Sequence, residues 1–313
     1  MVKRERIKKE NGYKALKISG VGIHSGQVSN MDIVAAGKQN GILFMRNGSK
    51  VMVSYKNVTN TSLRNTTIGR GAEQVKTIEH LMAALFVNGI QNARIDIDNA
   101  EIPILDGSAL ELINVLKNIK PTGKNLYLRV RREIVVYESE IKLPLWLRAL
   151  KLVRGCSKRD GFVKLSPIKG NALKLTSEIR YPNITVIGTQ KTAFTFDYDN
   201  WNKSRAAFIN DIAKSRTFGT MAEYEFLKRQ GMARGANEHN VIAINETGDG
   251  TLNDLFYSDE FVRHKIIDAV GDLFTSGYFI IGEYDSFKGG HALNNLVLRK
   301  LFSDTANYDI IEK

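Results

Sequence analysis

One cysteine, Cys156, stands alone in 313 residues, so the chain can build neither an internal disulfide nor a thiolate metal site. Long apolar runs are missing as well. The longest, Leu81 to Val87, falls far short of the ~18 residues that a transmembrane helix needs. The charged start, MVKRERIKKENGYK, leads into no apolar stretch of the kind a secretory signal carries. Together these absences predict a cytoplasmic protein. Proline is scarce, at five residues, and no Ser/Gly-rich or repeated stretch is present. A long flexible linker and a solenoid are thereby excluded. Acidic side chains are the minority, 33 against 45 Lys plus Arg, a net charge of +12. Such a balance attracts anions: nucleic acid, an acidic membrane surface or a phosphorylated substrate.

What is present is the composition of a folded chain, 43% hydrophobic and 25% charged. The first 75 residues read as short strands, Tyr13–Ile18, Ser29–Val34, Gly41–Met45 and Lys50–Tyr55, separated by turn residues. A helix then follows, with Thr77 as its cap, LMAALFV as its body and Asn88-Gly89 as its stop. Ala93–Ile97 alternates like a strand, and Ala109–Lys117 reads as a second helix. The pattern restarts near Leu126 with further strands and helices, the longest helix running from Asp259 to Ser276 behind a Ser258 cap. Neither half alternates strictly as βαβ. The expectation is two α+β domains, residues 1–124 and 125–313, each with helices on one face of a mostly antiparallel sheet.

Histidines number five, and three keep unusual company. His264, Asp268 and Asp272 follow one another at i, i+4 and i+8, within an arc of about 80° on a helix. Ile266, Ile267, Val270, Leu273 and Phe274 occupy the other side. A His and an Asp one turn apart can share a metal ion. An exposed face held by His–Asp and Lys–Asp pairs accounts for the same spacing. Glu79-His80 opens the first helix, where the two side chains cannot both point into a core. One can ligate a metal while the other reaches its water, or Glu79 simply favours the helix dipole. His291 follows Gly289-Gly290, a place for an acid or base at a close backbone approach, or a plain turn. His24, in GVGIHSG, reads as a turn residue, and His239 as exposed. Ser215 to Gly219 (SRTFG) offers a hydroxyl and a guanidinium to a developing oxyanion.

Taken in order, GVGIHSG, TIEHLMAAL, EIPILDGSA, SRTFG, DEFVRHKIIDAVGDL and GGHALNN resemble the UDP-3-O-acyl-N-acetylglucosamine deacetylase family, over residues 14 to 303. That family performs the committed step of lipid A synthesis in Gram-negative bacteria. The resemblance implies a zinc hydrolase in which two α+β domains form a sandwich, each a mostly antiparallel sheet with two packed helices, and the site lies in the cleft between them. By motif it implies zinc ligands His80, His264 and Asp268, Glu79 as general base and His291 as its paired histidine. Thr217 and Phe218 would flank the attacking water and the acyl group. Lys265 and Lys288 would face the polar and diphosphate part of the substrate, Asp272 would orient the histidine, and Leu63 would contact the substrate. The implied reaction is hydrolysis of the N-acetyl group of a UDP-3-O-acyl-N-acetylglucosamine, releasing acetate.

Two readings compete with it. A basic nucleic-acid-binding protein explains the charge but not the His/Glu/Asp placements, and its charge would be interleaved with aromatics over several elements. Nucleic acid is therefore not an expected partner. A zinc amidohydrolase acting on another acetylated amino sugar is the second. Three features depart from the family. Arg64, in TSLRNTT, stands where many members carry a small residue near the cleft. The chain ends about 20 residues after GGHALNN, so no fused second enzyme is expected. Residues 142–159 read as an insertion with six basic and no acidic side chains. On a helix from Leu145 to Arg154, Arg148, Lys151 and Arg154 fringe an apolar body that includes Trp146. That pattern predicts either packing on the second domain or a peripheral contact with the anionic inner membrane. The chain is otherwise expected to be a monomer.

Overall fold

Strands with one buried face open the chain, and their alternation sets the first layer. The computed structural model describes residues 8–10, 13–35, 41–61, 64–121, 123–141 and 160–312. The first half contains β1 (Lys8–Glu10), β2 (Tyr13–Val21), β3 (Val28–Ala35), β4 (Ile42–Arg46), β5 (Ser49–Met52), β6 (Val58–Asn60), β7 (Thr67–Ile68), α1 (Glu79–Val87), β8 (Ala93–Ile97) and α2 (Leu110–Leu116). Six strands form a sheet in the order β1-β2-β3-β8-β4-β5, antiparallel except for the β4/β8 pair. Along β3 the residues Ser29, Met31, Ile33 and Ala35 are buried, while their neighbours are exposed or half-buried. This period of two gives the sheet one apolar face.

The second half continues with β9 (Leu126–Val130), β10 (Ile134–Tyr137), β11 (Phe162–Ser166), β12 (Ala172–Tyr181), β13 (Gly188–Asp197), α3 (Trp201–Asp211), β14 (Phe218–Thr220), α4 (Met221–Arg229), β15 (Ile242–Ile244), α5 (Glu260–Phe274), β16 (Phe279–Phe287), α6 (His291–Leu301) and β17 (Tyr308–Glu312). Its main sheet is built on β16, whose start pairs in parallel with β9 and whose remainder lies between β11 and β12. The architecture is the expected α+β sandwich: two sheet layers with helices between them. The basic insertion, including the proposed helix from 145 to 154, lies outside the described residues.

One core joins the layers. It runs from Ile18, Ile33 and Phe44 of the first sheet, through Leu81 and Met82 of α1 and Ile266 and Val270 of α5, to Leu173 and Leu175 of the second sheet. All nine residues of α1 are buried, so this helix needs no polar face. No helix among the described residues is long and apolar enough to cross a membrane.

Helix α1 packs directly on α5. The approach is set by Gly271, where a Cβ would lie 2.0 Å from the Glu79 carbonyl oxygen. Both helix starts differ from the sequence expectation. Thr77 does not cap α1; it has φ of 60° and its hydroxyl donates to Glu101 Oε1 at 2.9 Å. Asp259, not Ser258, begins α5, and its carboxylate accepts from Arg263 Nε at 2.6 Å. A tertiary partner claims Thr77, whereas the Asp259 carboxylate is engaged by Arg263, one turn on in the same helix.

Gly271→Ala should therefore force the helices apart at the cost of ~1–3 kcal/mol or more, the range for overpacking a tight contact. A denaturant titration reads this directly, and an unchanged midpoint would show that the crossing tolerates a methyl group.

Candidate metal and proton-transfer site

The α1/α5 crossing brings three donor atoms together. One atom each of His80, His264 and Asp268 lies within 4.8 Å of the others, and all three residues are buried. Asp268 Oδ1 is 3.8 Å from His80 Nε2 and 3.4 Å from His264 Nε2. A cation held tetrahedrally at ~2.1 Å spaces its ligands by ~3.4 Å. The set therefore fits a metal ion.

The donors are also prepared for one. His264 Nδ1 lies 3.1 Å from the Ser215 carbonyl. A carbonyl only accepts, so Nδ1 carries the proton and Nε2 turns a lone pair toward Asp268, the outer-shell arrangement that fixes a ligand tautomer. Lys265 Nζ donates to Asp268 Oδ2 at 2.8 Å, leaving Oδ1 to face the histidines. His80 Nδ1 is buried and has no hydrogen-bond partner among the described residues. Burial, then the neighbouring His264, pushes His80 down to about 3. Burial likewise lowers His264. Both rings are neutral near pH 7, as ligation requires. Burial opposes the charge of Asp268, yet Lys265 and the histidines hold it well below the usual carboxylate range.

Beside this cluster is a proton-handling pair. Glu79, 2% exposed, accepts the Thr66 backbone N–H through Oε2 at 2.9 Å. Burial raises its carboxyl to about 8, against the opposing pull of His291. Asp272 accepts from the Thr66 hydroxyl at 2.5 Å and from Asn294 Nδ2 at 2.8 Å, and pairs with His291 Nδ1 at 2.8 Å. Burial alone would depress His291, but the Asp272 carboxylate carries it up to about 10. His291 is therefore an imidazolium near neutral pH.

His80, His264, Asp268, Glu79 and His291 line one cavity of about 770 Å³. Its lining also has an apolar part that includes Ile179, Ile184, Ile187, Leu227 and Val241.

A sequence model described as UDP-3-O-acyl N-acetylglycosamine deacetylase matches residues 13–303. The chain belongs to this deacetylase family. It is 32% identical over 308 residues to a Neisseria meningitidis serogroup C UDP-3-O-acyl-N-acetylglucosamine deacetylase, covering 96% of this chain and 91% of that protein. Proteins of the same name from Shewanella violacea (33% over 303 residues, 95% and 90% covered) and a Geobacter species (35% over 308 residues, 96% and 90% covered) are similar to it as well.

The remaining residues expected of a deacetylase-family site fall around the same cavity, with one exception. Thr217 lines it, held by a backbone bond from its N–H to the Gly107 carbonyl at 2.9 Å. Gly107 has φ of 77° and a Cβ there would lie 1.7 Å from the Asn240 carbonyl oxygen, so this close approach requires glycine. The Phe218 ring meets His264 edge-on at 6.3 Å, with Lys265 Nζ 5.5 Å from its centre. Lys288, at φ of 52°, lines the cavity from the turn before α6. Leu63 lies outside the described residues.

Two readings of the sequence need correction. Glu79 and His80 both point inward, because α1 is covered on every side, and the His264/Asp268/Asp272 stripe is buried against α1 instead of exposed. Sequence reasoning missed Thr66 and Asn294, took from Ser215 its hydroxyl and not its carbonyl, and gave no site role to His24. The last lines the cavity, with its backbone N–H held by Glu101 at 3.0 Å.

Removing the Asp272 charge takes away the main support of the His291 imidazolium. NMR titration of the metal-free chain should give a His291 midpoint near 10, and Asp272→Asn should bring it well below that value. Equal midpoints in the two proteins would remove Asp272 from this role.

Proposed function

We propose that this chain is the zinc-dependent deacetylase of a UDP-3-O-acyl-N-acetylglucosamine, releasing acetate and a free amine in the lipid A pathway. One observation carries the reading: in a member of a deacetylase family, a two-histidine, one-aspartate donor set shares a cavity with a buried glutamate and a charged histidine. Three protein donors leave a fourth position open, as catalytic zinc sites do and structural ones do not. Bound by His80, His264 and Asp268, zinc supplies Lewis acidity toward the amide carbonyl and brings the pKa of water to ~7.

The chain's own residues supply the rest. Glu79 takes the proton of the attacking water as the new C–O bond forms at the acetyl carbon. Its raised pKa belongs to the metal-free protein, and a divalent cation, the largest local charge, favours the carboxylate needed for a base. The Thr217 hydroxyl donates to the developing oxyanion. His291, held as a cation by Asp272, gives a proton to the amine nitrogen as the C–N bond breaks. Lys265 steadies Asp268 and adds positive charge beside the site. Phe218, Lys288 and Leu63 contact the substrate, the lysine on its diphosphate side. The apolar wall suits an acyl chain, and the basic balance of the protein suits a nucleoside diphosphate.

The same reading takes residues 1–124 and 125–313 as two domains that each contribute ligands, His80 from the first and His264 and Asp268 from the second. It takes the enzyme as a cytoplasmic monomer in which segment 142–159 either packs on the second domain or makes a peripheral contact with the inner membrane.

Elemental analysis of the purified chain should find one zinc per chain, largely lost in His264→Ala. Glu79→Ala should retain the metal and lose ~10²–10⁴-fold in rate, the range for a positioned acid–base group. The pH–rate curve should be bell-shaped. Its alkaline limb belongs to His291, which is active as the imidazolium that Asp272 favours and inactive once that proton is lost. Near-normal turnover by Glu79→Ala would exclude it as the base.

A further inference from the structure

Arg64 is joined to nothing in the reaction just described, yet it lines the same cavity. It adopts φ of 60°, an uncommon conformation for a side chain with a Cβ. Its Nη2 lies 2.5 Å from Glu223 Oε1, on the first turn of α4. Glu223 is engaged twice. Its other oxygen accepts the Thr220 backbone N–H at 3.2 Å, and its own N–H donates to the Thr220 hydroxyl at 3.1 Å, a reciprocal cap of the helix start. The glutamate is only 13% exposed at the side chain and Arg64 35%. Glu223 is thus largely covered, and Arg64 reaches it from the exposed rim of the cavity.

Both ends of this link lead to parts of the site. On one side, α4 contributes Met221, Tyr224, Phe226 and Leu227 to the cavity lining. On the other, Arg64 precedes Thr66 by two residues, and Thr66 holds Glu79 through its N–H and Asp272 through its hydroxyl. We propose that Arg64 is a specificity-determining positioning residue: through Glu223 it ties the apolar wall on α4 to the segment that holds Glu79 and Asp272. A substrate whose acyl chain fills the wall then finds the two carboxylates in register with its amide. A chain too short to engage α4 gains nothing from the tie. The inference rests on the deacetylase reading for its substrate, and on the geometry alone for the mechanical link.

The test uses the zinc-loaded full chain and substrates with a long and a short acyl group. Arg64→Ala should narrow the long-to-short ratio of kcat/KM by ~2–5-fold, the equivalent of one partly exposed ion pair. Arg64→Lys should restore part of that ratio. Glu223→Gln keeps an oxygen for the Thr220 N–H but loses the charge, so it should match Arg64→Ala, and the double variant should add nothing further. An unchanged ratio in Arg64→Ala overturns the tie while leaving the deacetylase reading intact. If the wild-type chain turns over neither substrate, that reading fails, and hydrogen exchange decides the link by itself. Arg64→Ala should then lose amide protection in 223–229 and at Thr66 together; unaltered protection at either place overturns it.

Discussion

The site depends on how closely two helices can cross. At Gly271 the backbone of α5 comes against the Glu79 carbonyl of α1 with no room for a side chain. That contact lets His80 on one helix share a cavity with His264 and Asp268 on the other. A wider crossing would separate the donors beyond the reach of a single ion. It would also admit water to Glu79, whose raised pKa comes first from burial. Packing density and chemistry are therefore one constraint here.

The buried charges survive where they are held. Asp272 has three partners and Asp268 has Lys265, whereas Glu79, with one backbone N–H, is raised to about 8 and mostly takes up its proton at neutral pH. An uncompensated carboxylate in such surroundings would cost several kcal/mol and would take up a proton instead. Division of labour follows from the partners. Glu79 is the least supported of the three, and burial raises it; Asp272, with the most donors, is oriented toward His291. The apolar wall of the cavity is the complement of this cluster, a surface that recognises hydrocarbon without competing for its hydrogen bonds.

Much of this was legible in the sequence, and the illegible remainder has a common cause. The turn-bounded run Ser29–Val34, the alternation in Ala93–Ile97 and the apolar body of α1 announced strands and a helix from local pattern alone. The i, i+4, i+8 spacing put His264, Asp268 and Asp272 on one side of α5. What spacing could not say was whether that side met solvent or α1, because the answer depends on Gly271, an ordinary residue until the other helix is present. The expected Thr77 cap failed for the same reason: Thr77 has cap chemistry, but Glu101 arrives from elsewhere in the fold to claim it. Thr66 carries no motif of its own, and the SRTFG motif does not say that the Ser215 carbonyl would hold His264. They matter only through residues far along the chain, and a one-dimensional pattern does not contain that distance.

The hydrogen bond from Thr66 to Asp272 spans 206 positions of sequence. Closing a loop of that size is entropically expensive, and contacts of such separation are rewarded only after much of the intervening chain has ordered. On a ribosome, the segment bearing Thr66, Glu79 and His80 emerges long before α5 and α6 exist. During that interval a nascent chain exposes α1, whose body Leu81–Val87 is wholly apolar, without the partner that covers it. The architecture that makes a dry, well-held site in the finished protein thus leaves a hydrophobic segment waiting during synthesis, a natural point of engagement for chaperones.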